Sequence, residues 1–253
     1  MVFPHNSLRS ARNFAVHYGM NNIKALSEYD LAVIEPKAHH TEDIHILKNN
    51  ATAVYGYLSL FEIDPQQPEF DIFQSQILRK EDISRDGECC RRYFMDLRSA
   101  AWIEYVHVKV GKMLRESGFD GIFIDTVAYI EECLYMESVM FNQLLAVCDF
   151  FKSIRSDFPG AGIILNNTLG IALNYTKELI DGVCWENPLA GTSQQKRLNR
   201  RIVSHLNEIR KKNDMRVMLL TENSADTKYF SRLAEKNNYM YYDAPSNYIG
   251  AVR

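Results

Sequence analysis

Residues 120–125 read DGIFID, and residues 181–186 read DGVCWE. Each segment begins at Asp-Gly, continues through apolar residues and ends at a carboxylate, Asp125 in the first and Glu186 in the second. Consecutive apolar positions are typical of strands that helices cover on both faces, as in parallel sheets. In a parallel α/β barrel, the carboxyl ends of the strands form the active-site face. The two segments therefore predict a pair of acids that face one substrate.

Six further apolar runs have the length of strands, and most are separated by segments with helical periodicity. They are Asn13–Tyr18, Tyr29–Glu35, Ala51–Ser59, Gly162–Asn166, Arg216–Glu222 and Tyr239–Asp243. Helices are predicted from Ser99, as the N-cap, to about Ser117, and over residues 136–158, 194–212 and 227–237. Because strands alternate with helices, we predict an α/β fold, a single (β/α)8 barrel of TIM type that spans residues 1–253. An open, doubly wound sheet is the alternative.

The segment Asp64–Arg98, after the third run, interrupts this alternation. It is polar, contains Pro65 and Pro68, and is charged over Arg79–Arg92. It follows a predicted strand, on the side where barrels place functional loops. We therefore predict a long loop after strand three, with some helix, that shapes a substrate site. A solvated insertion without such a role is the alternative.

Composition restricts the class of protein. The chain has 253 residues, 46% hydrophobic and 24% charged, which is enough to bury a sizeable core. The net charge of -3 and the pI near 6.2 lack the basic footprint of nucleic-acid-binding proteins, so we expect no nucleic-acid partner. Five cysteines without a CxxC pair or a neighbouring histidine cluster argue against a disulfide framework and a zinc ribbon.

Hydropathy bears on localisation. No segment is apolar for long enough to form the core of a signal peptide or to span a membrane. We therefore expect no membrane span. The sequence is consistent with a cytoplasmic protein and equally with a secreted one whose signal peptide has been removed.

Polar side chains gather where the predicted strands end, at the mouth of the predicted barrel. The candidate site residues are His17, Tyr18, Glu35, Glu62, Asp125, Asn166, Glu186, Glu222, Tyr242 and Asp243. Any one strand-end acid is often only a helix cap, and His17 and the tyrosines also fit core packing. Because six carboxylates converge on one rim, we favour a substrate site there.

The alternation of side chains along a strand predicts one common direction for Asp125 and Glu186, toward the barrel axis. If Asp125 points to the barrel axis, so do Gly121 and Phe123, and the same register turns Glu186 and Cys184 inward. A nearby like charge raises the pKa of a carboxyl group, so one acid of such a cluster is expected to keep its proton while another is charged. Glycosidic cleavage needs that pairing, since an acid protonates the leaving oxygen and a carboxylate attacks the anomeric carbon or activates water.

Four segments carry a family resemblance that covers nearly the whole chain. They are Asn13–Gly19 (NFAVHYG), Tyr57–Glu62 (YLSLFE), Phe119–Val127 (FDGIFIDTV) and Asp181–Glu186 (DGVCWE). In this order they resemble the endo-α-1,4-polygalactosaminidase family, glycoside hydrolase family 114, and its barrel relatives. The block at Phe119–Val127 is the most specific of the four.

The resemblance implies a (β/α)8 hydrolase that cuts α-1,4-linked galactosamine polymers or related exopolysaccharides, without a metal or another cofactor. It places the two essential acids on Asp125 and Glu186. We assign Asp125 as nucleophile and Glu186 as general acid/base, by analogy with other α-glycosidases of this architecture, and the two roles could be exchanged. The resemblance also suggests a secreted or extracellular protein.

The acidic rim bears on the substrate independently of the resemblance. Galactosamine units with free amines are cationic near neutral pH, and a cleft lined by carboxylates concentrates such ligands. Uncharged sugars remain open as substrates, because carboxylates also accept hydrogen bonds from hydroxyl groups. We expect a polysaccharide or oligosaccharide partner, and a cationic amino-sugar polymer fits the rim.

Two other functions are alternatives. Phe61 and Ala128 depart from the family pattern, which leaves room for a barrel that binds carbohydrate without cleaving it. A metal-dependent barrel hydrolase would use His17, Glu35 and Asp125. Such enzymes usually carry two histidines on the first strand, whereas His17 stands alone there.

Overall fold

A computed structural model gives the structure of residues 7–85, 88–134 and 136–252. The strands of this part of the chain are β1 (Phe14–His17), β2 (Leu31–Ile34), β3 (Ala53–Ser59), β4 (Glu62–Ile63), β5 (Ile77–Arg85), β6 (Glu88–Met95), β7 (Gly121–Asp125), β8 (Gly162–Asn166), β9 (Gly182–Glu186), β10 (Arg216–Glu222) and β11 (Met240–Ala244). The eight predicted runs coincide with β1–β3 and β7–β11 to within two residues at each end.

Eight of these strands form one parallel sheet, in the order β1, β2, β3, β7, β8, β9, β10, β11. The first and last strands of this order lie beside each other. Near this seam, the amide of Tyr18 donates to the carbonyl of Tyr248 at 2.7 Å. The sheet therefore curls into a barrel, and the predicted (β/α)8 architecture is confirmed.

Helices cover the outside of the barrel. They are α1 (Ser7–Ser10), α2 (Ile23–Leu26), α3 (Thr41–Asn49), α4 (Phe70–Phe73), α5 (Ala100–Gly111), which continues as a π-helical turn (Lys112–Glu116), α6 (Tyr129–Cys133), α7 (Glu137–Asp157), α8 (Ile171–Thr176), α9 (Ser193–Lys212) and α10 (Thr227–Asn237), with short 3₁₀ helices at Pro36–Ala38, Gln74–Gln76 and Ser246–Tyr248. Ser99 caps α5 as predicted, accepting a hydrogen bond from the amide of Trp102 at 3.4 Å. Within the described ranges, each helix is too short or too polar to cross a membrane.

Glycines in β7 and β8 make room for one tyrosine inside the barrel. Tyr55, on β3, is fully buried and lies against Gly121 and Gly162. A Cβ atom at either glycine would overlap the ring or the hydroxyl group of Tyr55. Both glycines therefore face the barrel axis, and alternation along the strands places Asp125 and Asn166 inward at the mouth.

Gly162→Ala should destabilise the fold, because the added methyl group would overlap the Tyr55 hydroxyl in the core. Overpacking of this kind usually costs about 1–3 kcal/mol, and we expect the upper end of that range in urea unfolding. Gly111→Ala is the matched control, because its new methyl group would meet Phe158 at an ordinary 3.6 Å. Alanine favours the helix there by about 1 kcal/mol. Equal stability of the two variants would contradict this packing.

The segment predicted as a long loop contains a β-hairpin instead. β5 and β6 pair in antiparallel fashion, and β4 adds a third strand beside β6. The hairpin joins the barrel through Phe94, which stacks on Phe61 with ring centroids 5.2 Å apart. Its outer part carries cross-strand ion pairs such as Arg91 Nε to Asp82 at 2.6 Å. Charged residues of opposite sign on neighbouring strands can stabilise a hairpin that is exposed to solvent. The segment is therefore charged where a buried strand would be apolar, and its composition did not indicate strands.

Candidate active site

The four strands β7–β10 end in the same way. The residue that follows each strand has a left-handed backbone conformation. These residues are Thr126, Asn167, Asn187 and Asn223, with φ of 74°, 48°, 47° and 43°. Asparagine tolerates the left-handed region of φ and ψ, whereas a β-branched residue such as threonine is strained there. Each turn leads the chain away from the sheet and leaves the last strand side chain at the mouth. The side chains displayed in this way are Asp125, Asn166, Glu186 and Glu222.

Asp125 accepts three hydrogen bonds at the mouth. Tyr57 Oη donates to Oδ2 at 2.9 Å, while Asn166 Nδ2 and the amide of Thr126 donate to Oδ1 at 3.1 and 2.7 Å. The left-handed turn at Thr126 aims that amide at the carboxylate. The turn is held by the Thr126 hydroxyl, which donates to the Asp125 carbonyl at 2.6 Å and accepts from the amide of Phe61 at 2.8 Å. The carboxylate of Asp125 is therefore fixed from both of its oxygens.

Glu186 is held by a second set of donors. Asn166 Nδ2 donates to Oε2 at 2.6 Å, and the hydroxyl of Tyr248 donates to Oε1. Asn187 Nδ2 donates to that hydroxyl at 3.0 Å and so orients it. The backbone amide of Glu186 donates to Asn167 Oδ1 at 2.8 Å, which fixes the strand end itself.

Asn166 joins the two acids. Its side-chain nitrogen lies 3.1 Å from Asp125 Oδ1 and 2.6 Å from Glu186 Oε2, so these oxygens can be at most 5.7 Å apart. Asn166 is 3% exposed, and no donor in the described part of the chain reaches its Oδ1. One buried amide therefore sets the separation of the carboxylates and leaves an acceptor beside them.

Three tyrosines surround the pair of acids. The ring of Tyr18 lies 5.1 Å from that of Tyr57 and 5.3 Å from that of Tyr248. Burial raises the pKa of all three phenols, and the negative charges of Asp125 and Glu186 raise that of Tyr18 further. The phenols therefore stay protonated at physiological pH, and those of Tyr57 and Tyr248 donate hydrogen bonds to Asp125 and Glu186.

The interior beneath the acids is apolar. Cys184 and Phe123 are fully buried there. Burial raises the pKa of the Cys184 thiol well above its usual value, and the charges of Glu186 and Asp125 add to this effect. Since the thiolate is the reactive form of cysteine, Cys184 is an inert part of the floor.

His17 does not join the mouth, because the alternation that turns Tyr18 inward turns His17 outward. His17 is fully buried, and its Nε2 lies 3.4 Å from Asn22 Nδ2. A Cβ atom at Gly19 would come within 2.9 Å of the same nitrogen. The histidine thus packs under the turn that follows β1. The set of His17, Glu35 and Asp125, which a metal-dependent hydrolase would need, is not brought together.

Stability should decrease as the pH falls below about 6.5, owing to His17 and His39. Burial lowers the pKa of both imidazoles from the ordinary value of 6.5. The unfolded chain therefore binds more protons than the folded one in this range, so the free energy of unfolding falls as the pH decreases. A variant with both His17→Gln and His39→Gln should show a flatter pH dependence in urea unfolding. His45→Gln, on the exposed side of α3, should keep the wild-type slope. An unchanged slope in the double variant would contradict the assignment.

Glu35 and Glu222 lie on the rim. Glu35 accepts a hydrogen bond from the amide of Lys37 at 3.2 Å, and its charge contributes to the raised pKa of Tyr57. A cavity of about 270 Å³ opens beside Tyr57, between Glu35 and Glu62. On the other side, Glu222 accepts from the amide of Asn247 at 2.6 Å.

Glu62 lies on the rim as part of an ion pair. Arg92, carried by the hairpin, donates to both oxygens of Glu62, with Nε to Oε1 at 2.8 Å. The same guanidinium lies 3.7 Å from the ring centroid of Tyr129. The charge of Glu62 is therefore largely balanced, and the pair attaches the hairpin to the mouth.

Tyr242 and Asp243, both candidates from the sequence, lie away from the acids. Tyr242 is 5% exposed and packs edge-on against Phe14, with centroids 5.9 Å apart, so it fills the barrel interior. Asp243 points outward and accepts from Thr221 Oγ1 at 2.5 Å and from the amide of Ser224 at 3.1 Å. It stabilises the turn before α10 and does not face the mouth.

Two residues of the site, Tyr57 and Tyr248, are not in the list of candidates from the sequence. Tyr57 shares its register position with Phe123, so alternation along β3 would have indicated its inward direction. Tyr248 follows the last strand, in a 3₁₀ helix where it has a left-handed φ of 56°. Nothing in the sequence around Tyr248 signals that its hydroxyl reaches Glu186.

The sequence matches a family model. The model of glycoside-hydrolase family GH114 matches residues 4–205, which include β1–β9. A search of curated proteins gives no match.

Solved structures share the fold at low sequence identity. The glycoside hydrolase domain of PelA from Pseudomonas aeruginosa aligns with a TM-score of 0.79 and 17% identity, over 94% of this chain and 96% of that one. Ega3 from Aspergillus fumigatus, solved in complex with galactosamine, aligns with a TM-score of 0.71 and 14% identity, over 94% and 92%. An α-galactosidase from Thermus thermophilus aligns with a TM-score of 0.65 and 11% identity, over 94% and 59%.

Proposed function

The chain belongs to glycoside-hydrolase family GH114 and is a glycosidase, and we propose that it hydrolyses α-1,4-linked galactosamine polysaccharide with Asp125 and Glu186. The observation that carries the proposal is the amide of Asn166, which binds both carboxylates at the mouth of the barrel. A polysaccharide with free amines is the proposed substrate class. The complex of Ega3 with galactosamine supports the same substrate class.

We propose a retaining mechanism. Retaining glycosidases hold their carboxyl groups about 5–5.5 Å apart, whereas inverting ones leave about 6.5–9.5 Å for a water molecule. The upper limit of 5.7 Å between the nearest oxygens of Asp125 and Glu186 supports the narrower spacing. The amide that sets this limit is buried, so the spacing does not depend on a flexible loop.

In the first step, an oxygen of Asp125 attacks the anomeric carbon while Glu186 protonates the leaving glycosidic oxygen. The bond from the anomeric carbon to that oxygen breaks, and a glycosyl ester of Asp125 forms. In the second step, Glu186 takes a proton from water, whose oxygen attacks the anomeric carbon and releases Asp125. The hydrogen bonds from Tyr57 and Thr126 stabilise the negative charge on Asp125 before attack and after release.

The charges at the mouth support a cationic substrate. Asp125, Glu35 and Glu222 place negative charge around one opening, whereas the charge of Glu62 is balanced by Arg92. Such a field concentrates cationic ligands.

The substrate class can be tested with one polymer in two chemical states. Deacetylated galactosamine polymer should be cut at least about tenfold faster than the same polymer after chemical N-acetylation, because only the first is cationic. The difference should shrink at about 0.5 M salt, where charges are screened within a few ångströms. Equal or faster cleavage of the acetylated polymer would overturn the proposed substrate class and leave the two acids unaffected.

A further inference from the structure

A groove on the outside of the barrel lies between α9 and α10, away from the two acids. It has a volume of about 1060 Å³ and starts near the mouth, at Asp226, from where it follows α10 to Asn237. The α10 side of the groove lies beyond residues 4–205, the part of the chain that matches the family model. The match to the family model therefore does not extend to the α10 side of the groove.

The groove is strongly basic in a chain that is acidic overall. α9 and α10 together contain ten Lys or Arg and two Asp or Glu, a net charge of +8, so the rest of the chain carries -11 of the total of -3. Lys228, Arg232 and Lys236 follow one another at i, i+4 and i+8 along the groove, and Arg200 faces them from α9. Like charges at this spacing destabilise a helix. No salt bridge within the described ranges includes any of these four cations.

The floor of the groove is apolar. Val203 of α9 and Leu233 of α10 line it, together with the ring of Tyr229. The ammonium of Lys196 lies over that ring, 5.5 Å from its centroid, so the tyrosine is not a free platform for a sugar. A concave shape also suits a rod better than a flat lipid surface. Apolar contacts along the floor and cations along the edges fit a peptide that carries both kinds of side chain.

We propose that this groove binds an acidic amphipathic helix of a partner protein. The 11 residues of α10 span about 16 Å, so about three turns of a bound helix would fill the groove. Apolar residues at i, i+3 and i+7 of the partner would contact Val203 and Leu233, as in other helix-in-groove complexes. Acidic residues beside that stripe would pair with Lys228, Arg232 and Lys236. The interaction leaves the barrel mouth open, so binding and hydrolysis are compatible.

The test uses the full chain and a fluorescent helical peptide of about 15 residues, with leucines at the stripe positions and glutamates beside them. Fluorescence anisotropy at low salt should give saturable binding. The charge reversal Lys228→Glu with Arg232→Glu should weaken it at least about tenfold, because two pairing cations become repulsive. The matched control, Arg197→Glu with Arg201→Glu, reverses two exposed charges of α9 that do not line the groove, and it should change affinity by less than about threefold.

Four results would overturn the proposal. The first is absence of binding. The second is equal binding of a peptide with the same composition in scrambled order, and the third is equal weakening by the control reversal. Either of these two would reduce the interaction to general charge attraction. The fourth is capture by vesicles of anionic lipid that depends on the same groove residues, which would assign the surface to a membrane.

Discussion

Asp125→Asn and Glu186→Gln should each reduce hydrolysis of the galactosamine polymer by roughly 10³-fold or more, since each removes a group that exchanges a bond or a proton with the substrate. Both changes preserve the shape of the side chain, and the amide can still meet several of the surrounding donors. Unfolding midpoints should therefore stay close to wild type. The reducing ends released per minute, at saturating polymer, give the measurement.

Asp243→Asn is the matched control for these variants. Asp243 is also an acid at a strand end, but it accepts from Thr221 and Ser224 on the outside of the barrel. Its loss should change the rate by less than about threefold per folded molecule, because its side chain faces away from the mouth. If the hydrolysis rate fell as much in the Asp243 variant as in the Asp125 variant, the loss of activity could not be attributed to the acids at the mouth.

Azide can assign the two roles. In Asp125→Ala, azide should attack the anomeric carbon in place of the missing carboxylate and give a glycosyl azide of inverted configuration. In Glu186→Ala, azide should attack the glycosyl ester of Asp125 and give the retained configuration. The opposite pattern would exchange nucleophile and general acid between the two residues while preserving the pair.

Asn166→Ala should lower kcat by roughly 10²-fold and leave KM nearly unchanged, because the two acids lose the donor that sets their separation. Without that amide, Asp125 and Glu186 are no longer held at one separation beside the anomeric carbon. Asn166→Asp should be at least as damaging, since it adds a third carboxylate between them. Initial rates over a range of polymer concentrations separate kcat from KM.

Asn199→Ala controls for the loss of a buried amide. Asn199, on α9, is also 3% exposed, and its side chain donates to the carbonyl of Leu189 at 3.0 Å and to neither acid. Both variants should lose similar stability, whereas only the Asn166 variant should lose kcat. If kcat followed stability in both, Asn166 would be a structural residue without a positioning role.

The barrel was predictable because its strands are buried on both faces and are therefore apolar without interruption. The hairpin of β5 and β6 was not, since its strands carry many charged side chains that pair across the hairpin, as Arg91 does with Asp82. Local composition cannot reveal such pairing. The register between the two strands of the hairpin has to be known first.

Within the site, Asp125, Glu186 and Asn166 could be located because alternation along a strand fixes which side chains face the axis. The same rule explains why some candidates at strand ends face away from the mouth, since a shift of one residue changes the face. Tyr18 points inward and His17 does not, and Asp243 turns outward beside the core residue Tyr242. Tyr248 depends on how the chain folds back after β11, which no local pattern encodes.

The most direct test of the central claim is mass spectrometry of partly deacetylated galactosaminogalactan after incubation with the wild-type protein. We expect short oligosaccharides that contain galactosamine, and none when Asp125→Asn or Glu186→Gln replaces the wild type. An intact polymer that nevertheless binds the wild-type protein would contradict the account and indicate a barrel that binds carbohydrate without cleaving it.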